Sequence, residues 1–167
     1  LDDFEYYGMV SYQKDMKFYE QQNKLPFKEL HYYPKYYIEN SSKPDLEYLS
    51  KIEKELGLNF WLIASSERTF LQERNFFHSF TSDEILSIIE SLTKFFHDFL
   101  TRIKPDFILM QKTGENLANF LLYNIAKSMN IKTLMMVETR LSNSFVISDN
   151  LLVSVLKNDF DKIKNDS

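Results

Sequence analysis

Cysteine is absent from the 167 residues, which excludes a disulfide framework, a thiolate metal site and a cysteine nucleophile. Glycine is almost as scarce, with 3 residues, so few positions can adopt left-handed backbone or bring the main chain close to a ligand. A P-loop needs a glycine-rich run ending in Lys and Ser or Thr, and the dinucleotide fingerprint needs three glycines in one turn; the sequence holds neither. The purely apolar stretches reach only a few residues, as at Phe107 to Met110, far short of the roughly 20 that cross a bilayer. An excess of positive charge is missing too. With a net charge of -4, a pI near 5.4 and basic residues mixed among acidic ones, no nucleic-acid or anionic-membrane partner is expected.

At 44% hydrophobic and 26% charged, the composition is that of a soluble globular chain long enough for one core. Lack of cysteine fits a reducing compartment, so a cytoplasmic protein is expected. The opening Leu1, Asp2 and Asp3 carry no initiator Met and no basic or apolar leader, and they read as the start of a piece cut from something longer. Aromatic residues are abundant, with 10 Tyr and 15 Phe.

The second half has the clearest pattern. Ile85, Ile88, Ile89, Leu92, Phe95, Phe96, Phe99, Leu100 and Ile103 recur at three and four residues and predict one amphipathic helix from Ser82 to Lys104. Thr81 and Glu84 form a capping-box pair at its start, and Pro105 ends it. A strand over Asp106 to Met110, a helix over Glu115 to Asn130 and a strand over Lys132 to Val137 follow. Phe145 to Ile147 offers a third strand or a hairpin arm. The continuous apolar run Phe107 to Met110 reads as a strand covered on both faces, central in its sheet. This order predicts an α/β fold, a three-layer Rossmann-like domain with a mostly parallel sheet flanked by helices.

The first half is harder to read. Leu46, Leu49, Ile52 and Leu56 predict a helix opening at Ser42 to Asp45 and stopped by Gly57. Tyr12, Met16 and Tyr19 place a helix over Ser11 to Asn23. The stretch His31 to Ile38 is expected to be extended and irregular around Pro34, and Leu58 to Phe80 mostly helical. No opening strand with a glycine-rich turn is visible. Residues 1–156 are expected to form one domain that opens with an aromatic-rich stretch, 1–44, with 157–167 as a tail or the start of a linker.

In parallel sheets ligands sit where strands end and helices begin. Here those places are Gln111 to Glu115 and Glu138 to Asn143. Lys112, Thr113 and Gly114 would present a cation, a hydroxyl and backbone N–H groups to a phosphate or carboxylate. The plainer alternative is that Thr113 caps the helix while Glu115 complements its dipole. Glu115 or Glu138 is a candidate general base, and Arg140, with Asn143 nearby, a candidate anion holder; a surface ion pair between a glutamate and Arg140 is the equal alternative. His31, His78 and His97 share no metal-ligand spacing, so no metal is expected. Ser65 and Ser66 lack the glycine-flanked elbow of a hydrolase nucleophile and read as helix-face or capping residues.

From about Asn59 to Asn150 the chain resembles the N-terminal half of capsule and surface polysaccharide biosynthesis proteins. The resemblance lies in Lys104-Pro105-Asp106 at a helix end, Glu115 before a helix, Asn130-Ile131-Lys132 approaching the next strand, and Thr139-Arg140 before Ser148-Asp149. It implies a glycosyltransferase-like protein of two Rossmann domains, in which this one is the acceptor-side half. A missing C-terminal domain would bind most of the nucleotide sugar, and the glycan acceptor would be met only by the complete protein. No other cofactor is implied, and the isolated piece would be inactive. The competing expectation is a non-enzymatic interaction module using Tyr32, Tyr33, Tyr36, Tyr37 and Trp61.

Overall fold

The computed structural model describes residues 4–38, 43–70, 78–111, 116–138 and 144–149, with the side chains of 37, 38 and 138 left aside. The described elements run, in order, β1 (Tyr6–Val10), α1 (Gln13–Gln21), β2 (Phe27–Tyr32), α2 (Lys35–Ile38), α3 (Leu46–Leu56) and α4 (Phe60–Ala64). A 3-10 turn (Arg68–Phe70), α5 (Ser82–Ile103), β3 (Phe107–Gln111), α6 (Leu117–Ser128), β4 (Lys132–Glu138) and β5 (Phe145–Ser148) follow. Among the described residues the strands form two small sheets, so the fold is mixed α/β. β1 pairs in parallel with β2, β3 pairs in parallel with β4, and β5 adds antiparallel to β4.

α5 is the axis of the molecule. Glu84 N–H donates to Thr81 Oγ1 at 3.3 Å and Thr81 N–H to Glu84 Oε2 at 2.7 Å, closing the capping box. At the other end Lys104 takes left-handed backbone, φ 51°, before Pro105. Ile88, Ile89, Leu92, Phe96 and Leu100 form the spine of the core, which Leu117, Leu121 and Ile125 of α6, Phe60 of α4 and Leu49 of α3 complete. Each fully buried side chain of this size contributes about 2 kcal/mol before ordering entropy is subtracted. α3 starts at Asp45, whose carboxylate accepts from Tyr48 N–H at 3.0 Å, and ends at Gly57 with φ 64°, as its sequence predicts.

Several expectations are corrected. β1, a strand the sequence did not announce, is the first described element, and Gly8 lies in it opposite Leu30, whose side-chain end would have to shift to admit a methyl group on Gly8. β2 ends at Tyr32, and the chain turns at Pro34 into α2 rather than staying extended to Ile38. Leu58 to Phe80 holds only α4 and the 3-10 turn among its described residues. Ser65 and Ser66 hydroxyls donate to Leu62 O and Ile63 O, which draws the chain out of a continued helix. β3 is an edge strand and β4 the middle one, and Phe107 and Leu109 face outward. An apolar run is therefore no proof of cover on both faces. The tail, 157–167, lies outside the described residues.

Candidate functional site

β3 and β4 run side by side in the same direction, with Phe107 opposite Lys132 and Gln111 opposite Met136. Both therefore finish at one edge of the sheet, where the two loops proposed as a site begin. Glu138 is the last residue of β4 and lies opposite Phe145. Lys112, Thr113, Gly114, Glu115, Arg140 and Asn143 lie outside the described residues.

The start of α6 is well defined and differs from the expectation. Its N-cap is Asn116 rather than Thr113: the Asn116 Oδ1 accepts from Asn119 N–H at 3.1 Å. Glu67, which reaches across from the segment before the 3-10 turn, supplies an anion at this helix end, and Glu115 lies outside the described residues. Glu67 is buried, 5% exposed, and its Oε2 accepts from Leu117 N–H at 2.7 Å. Its Oε1 accepts from Thr69 N–H at 3.1 Å and from the Thr69 hydroxyl at 2.9 Å. A carboxylate thus already holds the positive end of the α6 dipole. Asn116 Nδ2 also donates to the Tyr33 hydroxyl at 3.4 Å, and burial raises the Tyr33 pKa. The sequence offered no signal for Glu67, which sits among Ser65, Ser66, Arg68 and Thr69 with nothing local to tie it to a helix fifty residues away.

A second polar cluster joins β2 to α5. Arg102 grips Glu29 with both guanidinium nitrogens, at 2.5 and 2.7 Å, and His31 Nε2 stands 2.9 Å from Glu29 Oε2. The bonds from Arg102, then from His31, hold the Glu29 carboxyl at about 2. Beside it lies a groove of about 420 Å³ lined by Tyr36, Lys94, Phe95, Asp98, Phe99 and Arg102. Its two cations are engaged, Arg102 with Glu29 and Lys94 with Glu90 at 2.5 Å, so the groove offers ring faces more than charge.

Of the aromatic residues named for an interaction module, Tyr33 is 7% exposed within the core, Tyr36 packs against Phe95 at 4.9 Å, Trp61 is 48% exposed, and the Tyr37 side chain lies outside the described residues. Among the described residues no three His, Asp or Glu side chains gather to hold a metal, and no helix is long and apolar enough to cross a membrane. Comparison of the chain with protein-family models, curated proteins and solved structures found no match.

Proposed function

We propose that this domain is the N-terminal, acceptor-side half of a glycosyltransferase-like protein of surface polysaccharide biosynthesis, with a three-layer Rossmann-like core. The observation that supports the reading is the parallel β3–α6–β4 unit, whose strands end at the same edge of the sheet, at Gln111 and Glu138. Glu67 supports the acceptor side in particular. A buried carboxylate at the N-terminus of α6 opposes a diphosphate there, while the hydroxyls of a glycan carry no charge to repel. The nucleotide sugar then falls to a further domain of the complete protein.

In this reading Glu115 or Glu138 takes the proton from an acceptor hydroxyl as it attacks the donor's anomeric carbon, and the nucleoside diphosphate leaves. Arg140 holds an anionic group by its planar fork, and Lys112, Thr113, Gly114 and Asn143 orient the acceptor. A cytoplasmic location belongs to the same proposal. The test is nucleotide-sugar turnover by the complete protein. Glu138→Gln and Arg140→Ala are expected to abolish transfer while the circular dichroism spectrum is kept; unchanged transfer in both sinks the site. An antibody against this domain should detect a native protein about twice the 20.0 kDa of this chain or larger. A band at 20.0 kDa ends the two-domain reading.

A further inference from the structure

The two parallel units put their crossing helices on opposite faces. Tyr7 and Met9 of β1 and Ile108 of β3 pack on the core that α5 and α6 build. Tyr6 and Gly8 point the other way, toward Phe27 and Leu30, and there Tyr19 of α1 meets the Phe27 ring at 5.7 Å. α1 contributes no residue to the core. Right-handed crossovers on opposite faces carry the chain in opposite directions, so β2 and β4 lie outermost while β1 and β3 are the inner strands of their pairs. Two long-range contacts align them. At the carboxyl ends Asn116 Nδ2 donates to the Tyr33 hydroxyl at 3.4 Å, and toward the amino ends Arg102, just before β3, grips Glu29 of β2. Parallel α/β structures receive ligands at such a place, between the carboxyl ends of neighbouring strands whose helices leave on opposite faces.

The groups at that place are polar and uncharged. Ser11 and Tyr12 follow β1 directly, Tyr33 follows β2, Gln111 ends β3 and Asn116 caps α6. Tyr33 forms the floor, 7% exposed, with the Ser11 side chain and the Asn116 carboxamide beside its hydroxyl. Tyr12 stands at the rim, 62% exposed even with Lys14 Nζ 5.4 Å from its ring centre. Hydroxyls and carboxamides both donate and accept, which suits the hydroxyls of a sugar, and an exposed ring suits its flat apolar face. Glu67, buried at the α6 start, opposes a phosphate in the same place.

We propose that the carboxyl ends of β1 and β3 form a sugar-binding crevice, in which Ser11, Gln111 and Asn116 engage the hydroxyls of a neutral sugar residue laid against the Tyr12 ring. The class of ligand rests on the acceptor reading; the place rests on the winding of the two units and does not involve Glu138, at the end of β4. Backbone amide resonances of the full chain test it, with methyl β-glucoside, methyl β-galactoside and N-acetylglucosamine as separate probes and uridine diphosphate as the anionic one. At least one sugar should shift the amides of Ser11, Tyr12, Gln111 and Asn116 in a saturable way. Tyr12→Ala, and Asn116→Ser, which keeps a helix-capping oxygen, should each weaken that binding about tenfold. Phe18→Ala, which removes a ring on α1 that is 64% exposed, should leave it unchanged. Binding that survives Tyr12→Ala and Asn116→Ser, or no shift with any of the three sugars, overturns the proposal. So does a larger response of these amides to uridine diphosphate than to the sugars. Shifts confined to Glu138 and residues 139–143 would sink this crevice while keeping the acceptor reading, whereas sugar binding here without any transfer by the complete protein would do the reverse.

Discussion

The molecule builds the same motif twice and stabilises it in two different ways. β1–α1–β2 and β3–α6–β4 are both strand, helix and parallel strand. In α6, Leu117, Ala118, Leu121, Leu122, Tyr123, Ile125 and Ala126 are buried, whereas α1 buries no residue. α6 starts on Asn116 and Glu67; α1 starts at Tyr12 with no side-chain bond to its first turn. The first unit is instead secured at its margins. Gln22 closes the turn after α1 through bonds to Lys24 N–H and Leu25 N–H at 2.9 Å, and Arg102, Tyr7 and His31 join the strands to the ring face of α5. Topology alone therefore does not set burial: the composition of the crossing helix decides whether a unit is core or covering.

The largest expected difference lies between the two crossing helices. Leu121→Ala, at a fully buried site, should lower unfolding free energy in urea by about 3 kcal/mol, and Met16→Ala in α1 by less than about 1 kcal/mol. Similar losses would erase the distinction. Next comes the start of α6. Glu67→Ala removes the acceptor from Leu117 N–H and Thr69 N–H in a buried place and should cost about 2 kcal/mol, with Glu67→Gln costing less; a loss within error of zero would mean water replaces the carboxylate there. The smallest effect belongs to the exposed seam of the first unit. Glu29, ordinarily near 4.5, is held at about 2 in the folded chain, chiefly by Arg102. Its folded value lies below its unfolded one, so this stabilisation is present above about pH 4.5 and fades as pH falls toward about 2. Melting temperatures of the parent chain and Arg102→Gln should differ near neutrality and converge through that window. A gap that persists in acid would assign the difference to lost packing on Phe99 instead.

The sequence was legible where one element's own residues decide its state. The three-and-four spacing from Ile85 to Ile103, the Thr81 and Glu84 pair, and Gly57 each act within a turn or two, and α5 and α3 match them. Legibility failed where the deciding partner is remote. Phe107 and Leu109 look like a central strand until the pairing places β3 at the edge. Thr113 looks like a cap because nothing in the run Gln111 to Asn116 announces Glu67. Of the candidate site only the strands were legible: the parallel ends of β3 and β4 are where the sequence puts them, and the side chains proposed to act lie mostly beyond the described residues.

Both units lean on α5, and that shared support orders events in time. α5, β3, α6 and β4 follow one another without interruption, so their contacts close short loops and form early. Glu29 must find Arg102 from 73 positions away, so β1–α1–β2 is expected to dock last and, by the same account, to let go first. We predict that its backbone amides exchange with deuterium well before those of α6; matched rates would mean that the two units open as one. When the first unit lifts away, the rings of Phe95 and Phe99 lose Tyr7 and His31 as neighbours, and a sticky stripe on the longest helix is briefly bared to whatever chain is nearby.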